Sequence, residues 1–236
     1  MATLRVVSYN VHACVGRDGR FRPDRIGDVL AQLDADIVGL QEVEDRMFLG
    51  EPVSRYLAER LDMQAYSGTT LRRGRSRYGN LLLTRSRATD LREHDLSVSG
   101  REPRGAIEAR IPSQGRTLRT FVTHLGLRAI ERSQQIGRLL SLFENSEDDA
   151  TVLMADFNEW RPASALHRRL RQIFGRTQRP RTFPASRPVL PLDCVYAAPA
   201  AALRRVRAVR DGDTVAASDH LPVVADIDLD AVRIQR

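Results

Sequence analysis

Residues 151–160 read TVLMADFNEW, and this stretch constrains the chain more than any other. Thr151 through Met154 are apolar or β-branched and lead into Asp156 and Asn158. In an extended strand alternate side chains share a face. Asp156 and Asn158 are therefore expected to point the same way at the strand's carboxyl end, with Phe157 turned back into the packing. Alone, a strand followed by Asp-Phe-Asn is more often a capping or turn arrangement, since Asp and Asn satisfy free backbone groups. The rest of the chain shifts that balance. Three other apolar runs end in the same way, at Asn10, Glu42 and His124, and Asp219-His220 form a further polar cluster near the C-terminus.

Residues 4–10 (LRVVSYN) read as a buried strand. Pro23 opens a helix that places Ile26, Val29, Leu30 and Leu33 on one face. Residues 37–40 form the next strand, ending in Gln41-Glu42, so the three pieces resemble a β-α-β unit, in which sites collect at strand carboxyl ends. Asn10 and Glu42 become candidate neighbours. Further helices are predicted over 52–61, 129–143 and 162–173, and strands over 64–67, 79–84, 89–96, 104–111, 118–124, 192–196, 203–209 and 223–229. Asp148-Asp149 precede the central strand, and an Arg/Pro-rich loop is predicted over 175–191. Residues 71–78 (LRRGRSRY) read as an Arg-rich loop that either grips a phosphate backbone or is a solvated surface loop. No linker divides the chain, and a single domain over residues 1–236 is expected.

A chain of 236 residues with 42% hydrophobic and 28% charged residues has the composition of a soluble globular protein with one large core. The net charge of +7 favours a polyanionic partner or an anionic membrane surface. All 37 basic residues are arginine, which is also what coding bias produces. The guanidinium fork nonetheless suits phosphate. Cys14 and Cys194 match no metal-ligand spacing and fit a reducing compartment. The N-terminus has no signal-peptide pattern and no apolar run approaches the ~20 residues of a membrane span, so a cytoplasmic location is expected.

The polar strand ends are Asn10, Glu42, His124, Asp156, Asn158, Asp193, Asp219 and His220. Carboxylate and amide oxygens are hard ligands suited to Mg²⁺, with Mn²⁺ as a substitute, whereas zinc calls for more His or Cys at fixed spacing. Individually, Asp193 also fits a strand-start residue bonding a backbone amide, and His220 before Leu221-Pro222 fits a turn.

In order, Ser8-Tyr9-Asn10, Leu40-Gln41-Glu42, Tyr78-Gly79-Asn80, Thr123-His124-Leu125, Asp156-Phe157-Asn158, Leu192-Asp193 and Ser218-Asp219-His220 span nearly the whole chain. That series resembles the endonuclease/exonuclease/phosphatase superfamily, which includes pancreatic-type deoxyribonuclease, apurinic endonucleases, neutral sphingomyelinases and inositol polyphosphate 5-phosphatases. The resemblance implies a four-layer α/β/β/α sandwich, two mixed sheets face to face with helices outside, and a metal-dependent phosphoesterase site at one rim. It makes Glu42 the principal metal ligand, helped by Asn10 and Asp219. Asp156 would orient and deprotonate the attacking water, and Asn158 would hold the phosphate or the nucleophile. His220, supported by Asp193, would donate to a phosphoryl oxygen, and His124 would also touch the phosphate. Tyr78, Asn80 and either Arg101 or Arg104 would add phosphate contacts.

Two departures narrow the choice of branch. Val43-Glu44 follow Gln41-Glu42 where apurinic endonucleases carry Thr-Lys, and those enzymes lack the counterpart of His124; the Pro-Ala-Trp-Cys-Asp run of 5-phosphatases is also missing. The pattern is similar to small bacterial members. The expected activity is Mg²⁺-dependent phosphodiester hydrolysis by activated water, with DNA or RNA as first substrate. A phospholipid headgroup or small phosphoester is the alternative, for which an exposed apolar patch near the pocket discriminates. A catalytically dead phosphate-binding module is a third reading. An aromatic content of 6% gives little sign of a base-stacking platform.

Overall fold

Strands that are apolar on both faces need cover on both sides, and the runs ending in polar residues are of this kind. The computed structural model describes residues 3–143 and 150–231; Asp148-Asp149 lie outside them. The elements are β1 (Thr3–Asn10), α1 (Pro23–Leu33), β2 (Ile37–Glu44), β3 (Met47–Phe48), β4 (Glu51–Pro52), α2 (Val53–Leu61), β5 (Gln64–Arg73), β6 (Ser76–Thr84) and β7 (Thr89–Asp95). They continue with β8 (Gly105–Ser113), β9 (Arg116–His124), α3 (Ala129–Ser141), β10 (Ala150–Asp156), α4 (Ala165–Phe174), β11 (Asp193–Ala198), β12 (Leu203–Ala208), α5 (Gly212–Ala217) and β13 (Val223–Asp228). One sheet has the order β12-β13-β1-β2-β6-β5 and the other β11-β10-β9-β8-β7.

Alternation then builds the layers. On β1, Leu4 and Val6 join the core between the sheets, while Val7 and Tyr9 pack with Ile26 and Leu30 of α1 and Leu57 of α2. On β10, Val152 and Met154 face the same central core, while Leu153 and Ala155 pack with Leu139 of α3 and Leu170 of α4. The result is the expected four-layer α/β/β/α sandwich.

The sheets approach closely at Gly39, where an added Cβ would lie 2.9 Å from Val122 Cγ2 and 3.2 Å from Met154 Cβ. Overpacking there forces both strands apart. Gly39→Ala is expected to destabilise the protein by ~1–3 kcal/mol, read as a lower thermal midpoint; an unchanged midpoint would show that the sheets can yield.

Two expectations change. Residues 71–78 are not a loop: β5 and β6 continue to the tip, with Arg72 opposite Arg77 and Arg73 opposite Ser76. Gly74, at φ +59°, permits the two-residue turn. The helix expected from Pro162 starts at Ala165, because the Ser164 hydroxyl accepts the His167 N–H and caps it. Sequence periodicity also passed over α5, which is short and is set by the Asp211–Thr214 capping box.

His167 is buried between layers, with Nδ1 against the Tyr196 hydroxyl and Nε2 against Glu159 O, both at 2.9 Å. Burial pushes it down to about 4, with the Glu159 carbonyl opposing. The unfolded chain takes up a proton at higher pH than the folded one, so the stability from neutral His167 is complete above about 6.5. It is lost as pH falls towards about 4. Replacing His167 by Gln is expected to flatten this part of the thermal-midpoint profile; an equally steep acid limb in the variant would refute the assignment.

Candidate active site

β1 pairs parallel with β2, and β9 with β10, so each pair sends its carboxyl ends one way. Asn10 joins the two sheets at that end, its Nδ2 donating to Glu42 Oε1 at 3.1 Å and to Asp156 Oδ2 at 3.0 Å. β13 and β11 run antiparallel to β1 and β10, so they contribute from their first residues instead. Asp193 opens β11 opposite Asp156, and Asp219-His220 precede β13. Topology therefore brings all eight polar strand ends to one end of the sandwich.

Glu42 does not follow the strand alternation. The β2–β6 register shifts between Leu40 and Val43, and Glu42 sits in the bulge at φ +57°. A left-handed backbone is costly for a glutamate, and here it turns the carboxylate to the pocket. Asn158, at φ +51°, makes a similar turn just past β10, where its backbone N–H donates to Asp156 Oδ1 at 2.9 Å. Phe157 is buried, as expected.

His220 Nδ1 lies 2.8 Å from Asp193 Oδ2, and its Nε2 lies 3.8 Å from Asp156 Oδ2, beyond hydrogen-bond range. The Thr182 hydroxyl donates a short bond to the same Asp193 oxygen. Burial disfavours charge on His220, yet Asp193, Asp156 and Asp219 outweigh it and hold the ring up at about 10. These surroundings favour the imidazolium form of His220. His124 is the opposite case: burial pushes it down to about 3 against the pull of Asp156, and Arg104 reinforces the shift. Burial prevails at His124, where Arg104 adds to it, and is overcome at His220, where Asp193 both attracts and bonds the ring.

The hydrogen-bond network assigns the His124 proton. Asn158 Nδ2 donates to His124 Nε2 and to Leu125 O, each at 2.9 Å. The proton then sits on Nδ1, which faces Arg104 Nη1 at 3.2 Å. Arg104 Nη1 also pairs with Glu102 Oε1 at 2.9 Å, while the buried Arg104 Nε has no hydrogen-bond partner among the described residues. An oxyanion satisfies this arrangement. Glu42, Tyr78, Asn80, Arg104 and His124 line one small pocket. It shares Thr70, Asn80, Arg104 and Gly105 with an adjoining cleft of about 370 Å³. Burial and the neighbouring Glu42 carboxylate push the Tyr78 hydroxyl well up, so it stays protonated and donates to Glu42. Asn80 spends its amide on Gly105 O at 3.0 Å.

Of the two candidate arginines, Arg104 is buried beside His124, whereas Arg101 is exposed and its guanidinium bonds no described residue. His12 closes a turn by donating its backbone N–H to Asn10 Oδ1 at 3.0 Å, and its ring lies 3.9 Å from Asp219. Thr182 escaped the sequence reading, because a lone threonine in a Pro/Arg-rich loop carries no signal of its partner.

A hard divalent cation fits the donor set. Glu42, Asp156 and Asp219 supply oxygens, and the first two already share one amide group. Asn10 offers its nitrogen to these carboxylates, and its oxygen accepts the His12 N–H while keeping a second lone pair. Asp156, Asp193 and His220 also lie close enough to hold a metal. Of these, His220 already has its Nδ1 bonded to Asp193, which leaves Nε2 as the nitrogen that faces the pocket.

A sequence profile described as the Endonuclease/Exonuclease/phosphatase family matches residues 7–220. YbhP of Escherichia coli K12, described as uncharacterized, is 30% identical over 254 residues, covering 96% of this chain and 97% of its own length. An endonuclease/exonuclease/phosphatase from Bacteroides vulgatus superimposes with a TM-score of 0.79 at 18% identity, covering 97% of this chain and 99% of that one. D. rerio TDP2, complexed with single strand DNA product, gives 0.72 at 17% identity, covering 97% and 100%. At such identities the structural likeness establishes the fold.

Proposed function

Because this chain belongs to the Endonuclease/Exonuclease/phosphatase family, we propose that it hydrolyses a phosphodiester by attack of an activated water. The observation that carries this reading is the gathering at one end of the sandwich of the buried Arg104, whose Nε has no hydrogen-bond partner among the described residues, with His124 beside the Glu42 and Asp156 carboxylates and His220 next to them. Asp156, steadied by Asn10, accepts the proton of the attacking water. His220 donates to one phosphoryl oxygen, and Arg104 with His124 to another. Asn158 holds His124, and its side-chain oxygen remains for the nucleophile. Tyr78 and Asn80 set the wall around Glu42 and Arg104. Arg101 has a place only at the edge of a larger substrate. A divalent cation held by Glu42 and Asp219, Mg²⁺ in preference and Mn²⁺ as substitute, neutralises phosphate charge when bound.

Two substrate classes were expected, and the phospholipid headgroup gains. Arg73 stacks over Tyr78 and Arg77 pairs with Asp45, so only Arg72 and Arg75 of the hairpin remain for a nucleic-acid backbone. The segments leaving the site carry exposed Leu127, Ile130 and Trp160. The test is release of phosphorylated headgroup from phospholipid vesicles in Mg²⁺ beside nicking of supercoiled plasmid. Headgroup release that His220→Ala abolishes is the expected result. Nicking alone would return nucleic acid to first place, and turnover of neither would leave a phosphomonoester or pure binding.

A further inference from the structure

Eight large apolar side chains are exposed among the described residues, and they are not scattered. Leu127 is 73% exposed and Ile130 69%, both on the segment that leaves β9 after His124, and Trp160, 52% exposed, follows Asn158. Arg132 ties these segments together, donating to Leu127 O and pairing with Glu159. From the other sheet, Met47 and Leu49, 64% and 80% exposed, ride on the β3–β4 hairpin that follows Glu42. Val189 bonds back to Phe183, whose ring lies 4.9 Å from His220. Six of the eight therefore leave from the end of the sandwich that carries the site. Isolated exposed apolar residues are ordinary, but a concentration around one mouth is not.

Acidic side chains on the same segments are taken up in ion pairs. Asp18 is paired with Arg25, Glu51 with Arg55, and Glu159 with Arg132 and Arg161. Arg17 and Arg20, on the segment after β1, and Arg128, beside Leu127, are exposed with no carboxylate in ion-pair reach among the described residues. Unpaired guanidinium groups interspersed with an indole and aliphatic side chains match the headgroup region of an anionic bilayer, where apolar tips enter the interface and cations meet phosphate. No described helix is long and apolar enough to cross a membrane, so contact of this kind would be peripheral.

We propose that the rim formed by Met47, Leu49, Leu127, Ile130, Trp160 and Val189 docks the protein on an anionic phospholipid surface with the site facing the headgroups. What the docked site then does rests on the phosphodiesterase reading; the docking itself does not. The experiment is sedimentation of the full chain with phosphatidylcholine vesicles made with and without phosphatidylglycerol. Wild type is expected to partition onto the anionic vesicles. Leu127→Ser/Ile130→Ser/Trp160→Ser, checked for folding by its thermal melt, is expected to bind at least about tenfold more weakly. Arg17→Gln/Arg20→Gln/Arg128→Gln is expected to lose the preference for anionic lipid. Leu91→Ser/Ile173→Ser, which removes exposed apolar residues outside this rim, keeps wild-type binding. The proposal is overturned if wild type ignores both vesicles, if the triple serine variant binds as wild type, or if the rim variants lose binding to a DNA duplex while vesicles are ignored throughout. Vesicle binding by a wild-type protein that cleaves neither lipid nor a soluble phosphodiester would uphold docking and remove the phosphodiesterase reading alone.

Discussion

In Mg²⁺, His220→Ala is expected to turn over a phosphodiester about a thousandfold more slowly than wild type, because a charged donor to the transition state is lost. The ring is well prepared for that task. Its Nδ1 is fixed by Asp193 at 2.8 Å, and its Nε2 faces the pocket, too far from Asp156 at 3.8 Å to be spent on it. The surrounding carboxylates hold it up at about 10, which favours the imidazolium through the neutral range. Initial rates on bis(4-nitrophenyl) phosphate measure the effect. Removing the imidazolium also leaves Asp193 buried without its cation, so the alanine variant is compared with His220→Asn and both are checked by thermal melting. A folded variant within tenfold of wild type would remove His220 from the chemistry.

The second large effect belongs to Asp193, which touches no substrate in the proposed arrangement and acts through the ring. Asp193→Asn is expected to cost about a hundredfold in rate, since an amide cannot favour the imidazolium as a carboxylate does. The decisive quantity is the double variant. If Asp193 and His220 act as a unit, Asp193→Asn/His220→Ala is no slower than His220→Ala alone. Multiplying effects would mean that Asp193 contributes independently, for instance through a cation.

Much of this site was legible because polar residues that end apolar strands have few other reasons to be there. Parallel pairing alone brings Asn10 beside Gln41-Glu42 and His124 beside Asp156, and β-α-β spacing announces such pairing for β1 and β2, whereas the meeting of the two pairs depends on the face-to-face sheets that the family resemblance implied. Asp193 and Asp219-His220 were harder, since they enter from the starts of antiparallel strands, and the family resemblance carried them. Glu42 was named for its identity, yet the bulge that aims it depends on a ladder with β6 that no local pattern encodes. The hairpin at 71–78 misled in the same way: arginines and a glycine look like a loop, but cross-strand pairing decided otherwise. Thr182, tied to Asp193, was invisible because its meaning lies in a partner eleven residues away.

Asn10 and Glu42 belong to one sheet, His124, Asp156 and Asp193 to the other, and side-chain bonds such as Asn10 to Asp156 span the seam. The central core is therefore a gauge block: its thickness fixes the gap between two half-sites. Met154 lies deep in that block, one strand position removed from Ala155 and two from Asp156. A change in its volume is expected to alter the distance across the seam without touching any residue of the site, so the proposed activity becomes tunable from the middle of the sandwich.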